Sequence, residues 1–393
     1  MKKKIIFMVK NMNIGGTEKA LLNMIAEMPK DEYDITIFML EEFGGFLNNI
    51  PSSVNVEYFN GFEELKDALN NPPLLTAKGL LKEGKVIKAC QIAALHILSK
   101  VIKDRSHFFR YLLKDHTKLN QEYDIAVAYA GPMDLISYFV VHKMKAAKKI
   151  QWIHFDISKI GFDQKFASKL YPKFDEIFAV SDEAKKMLVN QLPELKEKIN
   201  TFYNVLSKNQ VITLATNGKG FDDHYKGVRI LTVGRLSKEK GQDLSIPVLA
   251  KLKENEYNVK WYCLGEGHAR KEYEQLIKQY EVEDDFILLG SQSNPYPFMK
   301  ECDVYVQSSR HEGYCITLAE ARCFSNPIVC TKFTGAEEQI THNHTGLIVN
   351  FDEDEMYQAI KKILDDEILK NKLKNNLSNE IVDSTKEIEK LSS

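Results

Sequence analysis

Short apolar runs rich in Ile, Val and Phe alternate along the chain with stretches whose apolar positions recur every three or four residues. The first pattern predicts buried strands and the second amphipathic helices. Their steady alternation is the mark of βαβ units and parallel sheets, so the expected class is α/β. In the first half the strands are expected at residues 4–9, 34–39, 55–59, 124–129, 149–154 and 176–180. In the second half they are expected at 228–233, 259–264, 286–289, 304–306, 327–330 and 346–349. Residues 207–225 are polar and rich in Asn, Gly, Asp and Lys, and read as an interdomain linker. The expected layout is one doubly wound domain at 1–206, a second at 226–375, and a charged helical tail at 376–393 that crosses back to the first.

Length supports two domains, because 393 residues exceed the roughly 250–300 at which a single core stops growing. At 44% hydrophobic and 27% charged, the chain has ample material for burial and is not a disordered one. Lys and Arg number 53 against 55 Asp and Glu, so no global field favours nucleic acid, and none is expected as a partner. The first ten residues start positively, as a leader would, but the apolar run 5–9 is too short and reads as a first strand. No apolar stretch of about 20 residues spans a bilayer. Six cysteines without CxxC spacing suit reduced thiols better than bridges or zinc, and a cytoplasmic setting is expected.

Charge is uneven in one place. Residues 78–118 hold ten Lys or Arg (78, 82, 85, 88, 100, 103, 105, 110, 114 and 118) against acids at 83, 104 and 115. The same stretch carries Ile92, Leu95, Ile97, Leu98, Val101 and Ile102, then Phe108, Phe109, Tyr111, Leu112 and Leu113. It reads either as an amphipathic pair for an anionic membrane surface or as helices packed on their own sheet with lysines outside.

The densest chemistry lies at residues 311–321. Glu312 and Glu320 stand eight residues apart, with Gly313 directly after the first and a helix start between them. The amides of Gly313, Tyr314, Cys315, Ile316 and Thr317 would be unpaired at that start and suited to a phosphate, with the carboxylates placed to accept sugar hydroxyls. The structural alternative is that Thr317 and Glu320 form a capping box and Glu312 is a surface acid. Upstream, the strand at 228–233 ends in Gly234 and Arg235, with Lys240 five residues on. Two fixed cations there could neutralise a diphosphate, and the alternative for Lys240 is a solvated lysine.

In the first domain, the strand at 4–9 runs into Gly15 and Gly16, where paired glycines let backbone approach a ligand. The dinucleotide fingerprint is absent, since its third glycine is missing both here and at Gly265-Glu266-Gly267, which reads as a strand-to-helix turn. His154 closes a strand and would face a cleft, although a lone histidine is more often structural.

Taken in order, these motifs resemble the family 4 glycosyltransferases. The match rests on Gly15-Gly16-Thr17-Glu18, His154, Phe202-Tyr203-Asn204, Gly234-Arg235 to Lys240-Gly241, the pair Glu312 and Glu320, and Thr334 to Glu338. The resemblance implies the GT-B fold, two Rossmann-like domains facing across a cleft, and transfer of sugar with retention and without a bound metal. It further implies that Arg235 and Lys240 hold the donor diphosphate and that Glu312 touches the transferred sugar. Glu320 would bind ribose hydroxyls, and residues 313–317 would line sugar and phosphate. The backbone at Gly290 and Ser291 would meet the base, Gly16 would approach the phosphates, and His154 would contact the sugar.

The sequence therefore points to a hexosyltransferase using a nucleotide-diphosphate sugar, UDP-linked by family resemblance, with no other cofactor. The acceptor class is a polysaccharide, teichoic-acid-like polymer or lipid-linked glycan, and the expected place is the cytoplasm, at the inner membrane face. A non-catalytic glycosyltransferase-like subunit and a nucleotide-sugar epimerase are the competing readings. No metal site is expected: Asp222-Asp223 and Asp284-Asp285 are isolated pairs, 352–355 reads as a helix start, and His342 and His344 lie in a polar turn.

Overall fold

The computed structural model describes residues 2–70, 73–82, 84–102, 104–115, 119, 121–159 and 161–392. Two compact units divide the chain, in the main 2–202 and 203–392. The first runs β1 (Lys3–Val9), α1 (Gly16–Glu27), β2 (Tyr33–Met39), β3 (Asn55–Tyr58), α2 (Phe62–Asn70), α3 (Pro73–Lys82), α4 (Val86–Ile102), α5 (Ser106–Leu112), β4 (Glu122–Gly131), α6 (Asp134–Lys143), β5 (Lys145–Ile153), α7 (Gln164–Leu170), β6 (Glu176–Ala179), α8 (Asp182–Gln191) and β7 (Ile199–Thr201). The second runs α9 (Lys208–Asn217), β8 (Val228–Val233), α10 (Gln242–Glu254), β9 (Val259–Leu264), α11 (Arg270–Gln279), β10 (Phe286–Gly290), α12 (Tyr296–Glu301), β11 (Val304–Gln307), α13 (Ile316–Ala321), β12 (Ile328–Thr331), α14 (Ala336–Gln339), β13 (Leu347–Val349), α15 (Glu353–Asp365) and α16 (Glu367–Ser378).

Each unit is built on one parallel sheet. The first has the order β3-β2-β1-β4-β5-β6-β7, and the second β10-β9-β8-β11-β12-β13. Both sheets thus begin at a central strand, wind outward one way, then return to the other side, as doubly wound sheets do. Strands such as Val-Tyr-Val-Gln of β11 are buried throughout, which is why they read as continuous apolar runs. In the second unit one face packs Ile246, Leu249, Trp261, Tyr273, Met356 and Ile360, and the other Leu231, Tyr262, Tyr305, Leu318 and Ile340.

Residues 207–225 are not simply a linker: Ser207 caps α9, and Val211 and Ala215, one turn apart, bury into the second unit. The division between the two units falls near 202. The tail is grouped with the second unit, where Ser384 Oγ donates to Asn204 O at 2.8 Å and accepts from Leu206 N at 2.9 Å. The basic stretch splits in two. Phe108, Phe109, Leu112 and Leu113 are core, as the packed reading requires, while much of the outer side of α3 and α4 is exposed. Lys103 and Lys118 lie outside the described residues, as does Glu83. Asp352 caps α15 by accepting from Glu355 N at 2.9 Å, the helix start read from the acidic run.

Candidate functional site

β8 and β11 pair at the centre of the second sheet, and the chain leaves them toward β9 on one side and β12 on the other. Loops diverge at the carboxyl ends of such a pair, and ligands of doubly wound sheets bind there. The loop after β8 carries Arg235 and Lys240; the loop after β11 carries Glu312. They meet: Lys240 Nζ donates to Glu312 Oε1 at 2.6 Å, with the two side chains 25% and 8% exposed. Burial works against the lysine's charge, but the Glu312 carboxylate outweighs it and raises Lys240 above the usual lysine value.

A chain of hydrogen bonds runs to the same carboxylate oxygen. Tyr305 Oη donates to Gln307 Oε1 at 2.8 Å, Gln307 Nε2 to Ser309 Oγ at 2.8 Å, and Ser309 Oγ to Glu312 Oε1 at 2.6 Å. Thr331 Oγ1 donates to Ser309 O at 2.5 Å, and Thr317 Oγ1 to Gln307 Oε1 at 3.2 Å. Tyr305, Gln307, Ser309 and Thr331 are all buried, so the network is shielded from water and fixes its members. Glu312 Oε2 takes no hydrogen bond among the described residues.

Arg310 braces the lysine loop. Its amide donates to Glu239 O at 2.8 Å, Nη1 donates to Lys238 O at 2.6 Å, and its fork grips Asp243 at 2.8 and 2.6 Å. The guanidinium also lies 3.9 Å from the centre of the Phe351 ring. Ser308 Oγ donates to Lys240 O at 3.0 Å. Gly241 has φ +68°, and a Cβ there would run into the Ser308 carbonyl oxygen, so glycine is required for the two loops to close.

The loop at 234–236 rests on 265–269. Gly234 N donates to Leu264 O at 2.9 Å, Leu236 N to Glu266 O at 3.1 Å, and Ala269 N to Leu236 O at 3.1 Å. A Cβ at Gly265 or Gly267 would strike the Gly234 or Leu236 carbonyl oxygen, so these glycines serve backbone packing within the strand-to-helix turn. Gly234 differs: a Cβ there would meet nothing closer than 3.8 Å, and packing alone does not demand glycine. Arg235 is exposed and has no ion-pair partner among the described residues. Gly290, at φ +76°, accepts from Gly265 N at 2.9 Å, and exposed Ser291 follows it at the same sheet edge.

Cys315, at φ +63°, precedes α13 without a side-chain cap, and burial pushes its thiol well above the usual range. The amides of Gly313, Tyr314, Cys315, Ile316 and Thr317 donate to no acceptor among the described residues. Thr317 spends its hydroxyl on Gln307, so the capping box is not formed. Tyr314 O accepts from Gln339 Nε2, and burial raises the Tyr314 phenol to about 12. Glu320 is 2% exposed, and its Oε1 accepts from Tyr296 Oη at 2.7 Å. α13 thus turns the Glu320 side chain inward, beside α12.

In the first unit, Gly15 and Gly16 join β1 to α1, and Gly15 O accepts from Lys19 N at 3.0 Å. His154 follows β5, 7% exposed, its ring 4.4 Å from Tyr129 and parallel to Trp152 at 6.1 Å. Burial lowers it to about 3, and Nε2 is buried without a partner among the described residues. No group of three or more metal-ligating side chains occurs among the described residues. Asp223 instead binds Arg229 at 2.8 Å and the Tyr262 hydroxyl. Burial opposes its charge, but these partners hold its carboxyl at about 2. His342 Nδ1 accepts from Ile348 N at 3.0 Å.

Sequence reading singled out Lys240 and Glu312 but not Tyr305, Gln307, Ser309 or Arg310. The available signal was a run of polar residues, Gln307 to Arg310, that begins at the last residue of a buried strand.

An N-acetylgalactosamine-N,N'-diacetylbacillosaminyl-diphospho-undecaprenol 4-alpha-N-acetylgalactosaminyltransferase of Campylobacter jejuni is 34% identical over 210 residues, 53% of this chain and 56% of its own. The chain spans about half the length of the curated relatives it matches. Among solved structures, Anabaena HepE in complex with UDP-glucose superposes with a TM-score of 0.71 at 18% identity, covering 99% of this chain and 98% of that one. S. aureus TarM, in complex with fondaparinux, alpha-GlcNAc-glycerol and UDP, gives 0.70 at 14% identity over 99% and 98%. At such identities these two establish the fold alone, the α/β architecture of GT-B proteins. Residues 223–380, which hold Arg235, Lys240, Glu312 and Glu320, match the family described as glycosyl transferases group 1.

Proposed function

We propose that the protein is a retaining glycosyltransferase of family 4 that moves a hexose or N-acetylhexosamine from a UDP-sugar to a polysaccharide or lipid-linked acceptor. The observation that carries this reading is the convergence, at one sheet switch point, of the Lys240–Glu312 pair, a Glu312 Oε2 without a partner, and the unengaged amides of residues 313–317. Amide donors and an ammonium suit a diphosphate, and a held carboxylate with one available oxygen suits a sugar hydroxyl. The group 1 match over the same segment supports the transferase class. The Campylobacter relative's name specifies a diphospho-undecaprenol acceptor and an alpha product, and the HepE and TarM structures hold UDP-glucose and UDP. These support the acceptor class, retention and the uridine base.

As the donor bond breaks, negative charge develops on the diphosphate. Lys240 and the exposed Arg235 would stabilise that charge in place of a divalent cation. Glu312 Oε2 would hold the sugar while the leaving phosphate takes the acceptor proton. An acceptor of this kind would be met at the inner membrane face. Incubating the protein with a panel of UDP-sugars and following UDP release, with and without a diphospho-polyprenol glycan, tests the reading. Release from at least one donor, stimulated by acceptor, is the expected result; no UDP binding and no release from any donor would refute it.

A further inference from the structure

α4 is apolar on two opposite sides. Ile92 is buried in the first unit's core and Leu95 packs against it, with Ala89 buried on the same side. On the other side, Ile87, Cys90, Ala94, Ile97 and Val101 recur at steps of three and four, a stripe spanning roughly 100° of the helix. All five are exposed, with Ile87 at 75%, Ile97 at 63% and Val101 at 75%, and Leu98 lies beside them. A helix that met only its own sheet and water would carry polar residues there. α3 adds exposed Leu75 and Leu81, and exposed Lys78, Lys82, Lys85 and Lys88 line α3, the turn and the start of α4. No carboxylate occurs among the described residues of α3 and α4.

From this juxtaposition we propose that the outer face of α3 and α4 lies on an anionic lipid surface, with the aliphatic stripe entering the headgroup boundary and the lysines meeting lipid phosphates. The chemistry selects lipid over other occupants. Protein interfaces favour Trp, Tyr and Arg at their centres and are depleted of Lys, whereas this face is aliphatic and lysine-bearing. A second copy would set like charges against each other. Nucleic acid would make no use of the apolar stripe. At 17 residues, α4 is about 25 Å long and would lie along the surface. No helix among the described residues is long and apolar enough to cross a membrane. The inference deepens the acceptor side of the proposed function, but its test involves no turnover, so either can fail alone.

The full chain is sedimented with phosphatidylcholine vesicles and with vesicles rich in phosphatidylglycerol. Binding to the anionic vesicles is expected to exceed that to neutral ones by about fivefold per engaged lysine and to fall with salt. Ile97→Ser with Val101→Ser should lower partitioning by about tenfold or more, as expected from lost apolar burial. Lys78→Gln with Lys82→Gln should weaken the binding and its salt dependence together. All four positions are exposed, so circular dichroism and melting temperature should match the parent. Equal binding to both vesicle types overturns the proposal, as does unchanged binding by the Ser pair. Loss of concentration-dependent self-association in the Ser pair, without vesicle binding by the parent, would also overturn it and point to a second copy.

Discussion

Lys240 and Glu312, separated by 71 residues of chain, share a hydrogen bond of 2.6 Å at the carboxyl edge of the second sheet. Each was expected to face a ligand separately, and the structure gives them to each other. The pair is a precondition of the site: the ammonium anchors the carboxylate, and any diphosphate must share that ammonium.

Because the pair is largely buried, a single alanine leaves one charge uncompensated. Lys240→Ala and Glu312→Ala should each lower turnover by about 100-fold or more. Each should also lower stability by about 1–3 kcal/mol, short of the ~3–5 of a fully buried pair. Lys240→Met combined with Glu312→Gln should recover most of the stability and none of the turnover. Thermal melts and UDP release on the three variants check this; a double variant no more stable than the singles would mean that the pair does not hold the loops.

Two neighbouring glycines should behave oppositely. Gly241→Ala forces a side chain into a left-handed position against the Ser308 carbonyl and should cost more than about 1–2 kcal/mol. Gly234→Ala has room, so its melting temperature should hold while donor affinity falls if the backbone approaches a phosphate there. Calorimetric UDP titration separates the two effects. Unchanged affinity in Gly234→Ala would remove this loop from the donor site.

Arg310 should matter without touching a ligand. Arg310→Ala is expected to lower kcat/KM by about 10- to 100-fold through misplacement of Lys240. Arg310→Lys should rescue little, since an ammonium cannot span both Asp243 oxygens and the Lys238 carbonyl. In a double-mutant cycle with Lys240→Ala the two losses should be far from additive.

His154 gives a pH signature. Its folded pKa of about 3 lies below the ordinary 6.5, so from pH 6.5 downward the unfolded chain takes up a proton that the folded one refuses. Stability is therefore lost as pH falls toward 3, by up to about 1.4 kcal/mol per pH unit. His154→Gln should show a shallower loss between pH 6.5 and 4 in denaturant titrations. Parallel slopes in the two proteins would contradict a neutral, buried imidazole.

Turnover should survive EDTA, staying within about twofold, since fixed cations and not a metal are assigned the leaving group. Restoration of a chelated, inactive enzyme by magnesium or manganese would reverse that assignment.

The sheets were largely legible from sequence because parallel strands buried on both faces leave unbroken apolar runs, as at 228–233 and 304–306. The sequence singled out Lys240 and Glu312 because both stand in the loops that follow such runs, and the structure pairs them. α9 was missed because its burial rests on two residues, Val211 and Ala215, within an otherwise polar stretch. The burial of Glu320 was not legible because spacing along a helix does not reveal which side faces the core, and here Tyr296 on a different helix donates to the carboxylate. Gln307 and Ser309 were invisible as a pair, since the step from Gln307 to Ser309 and from Ser309 to Glu312 depends on how a loop folds back and not on periodicity.

The Tyr305–Gln307–Ser309 relay has a polarity: every hydrogen in it points the same way, with its head on one atom of Glu312. Pinned at Oε1 by the serine and the ammonium together, the carboxylate cannot spin, and Oε2 keeps a single bearing. Under the proposed chemistry, sugars that differ only in the direction of one hydroxyl would then be sorted by angle of approach, a discrimination that bulk and charge alone do not provide.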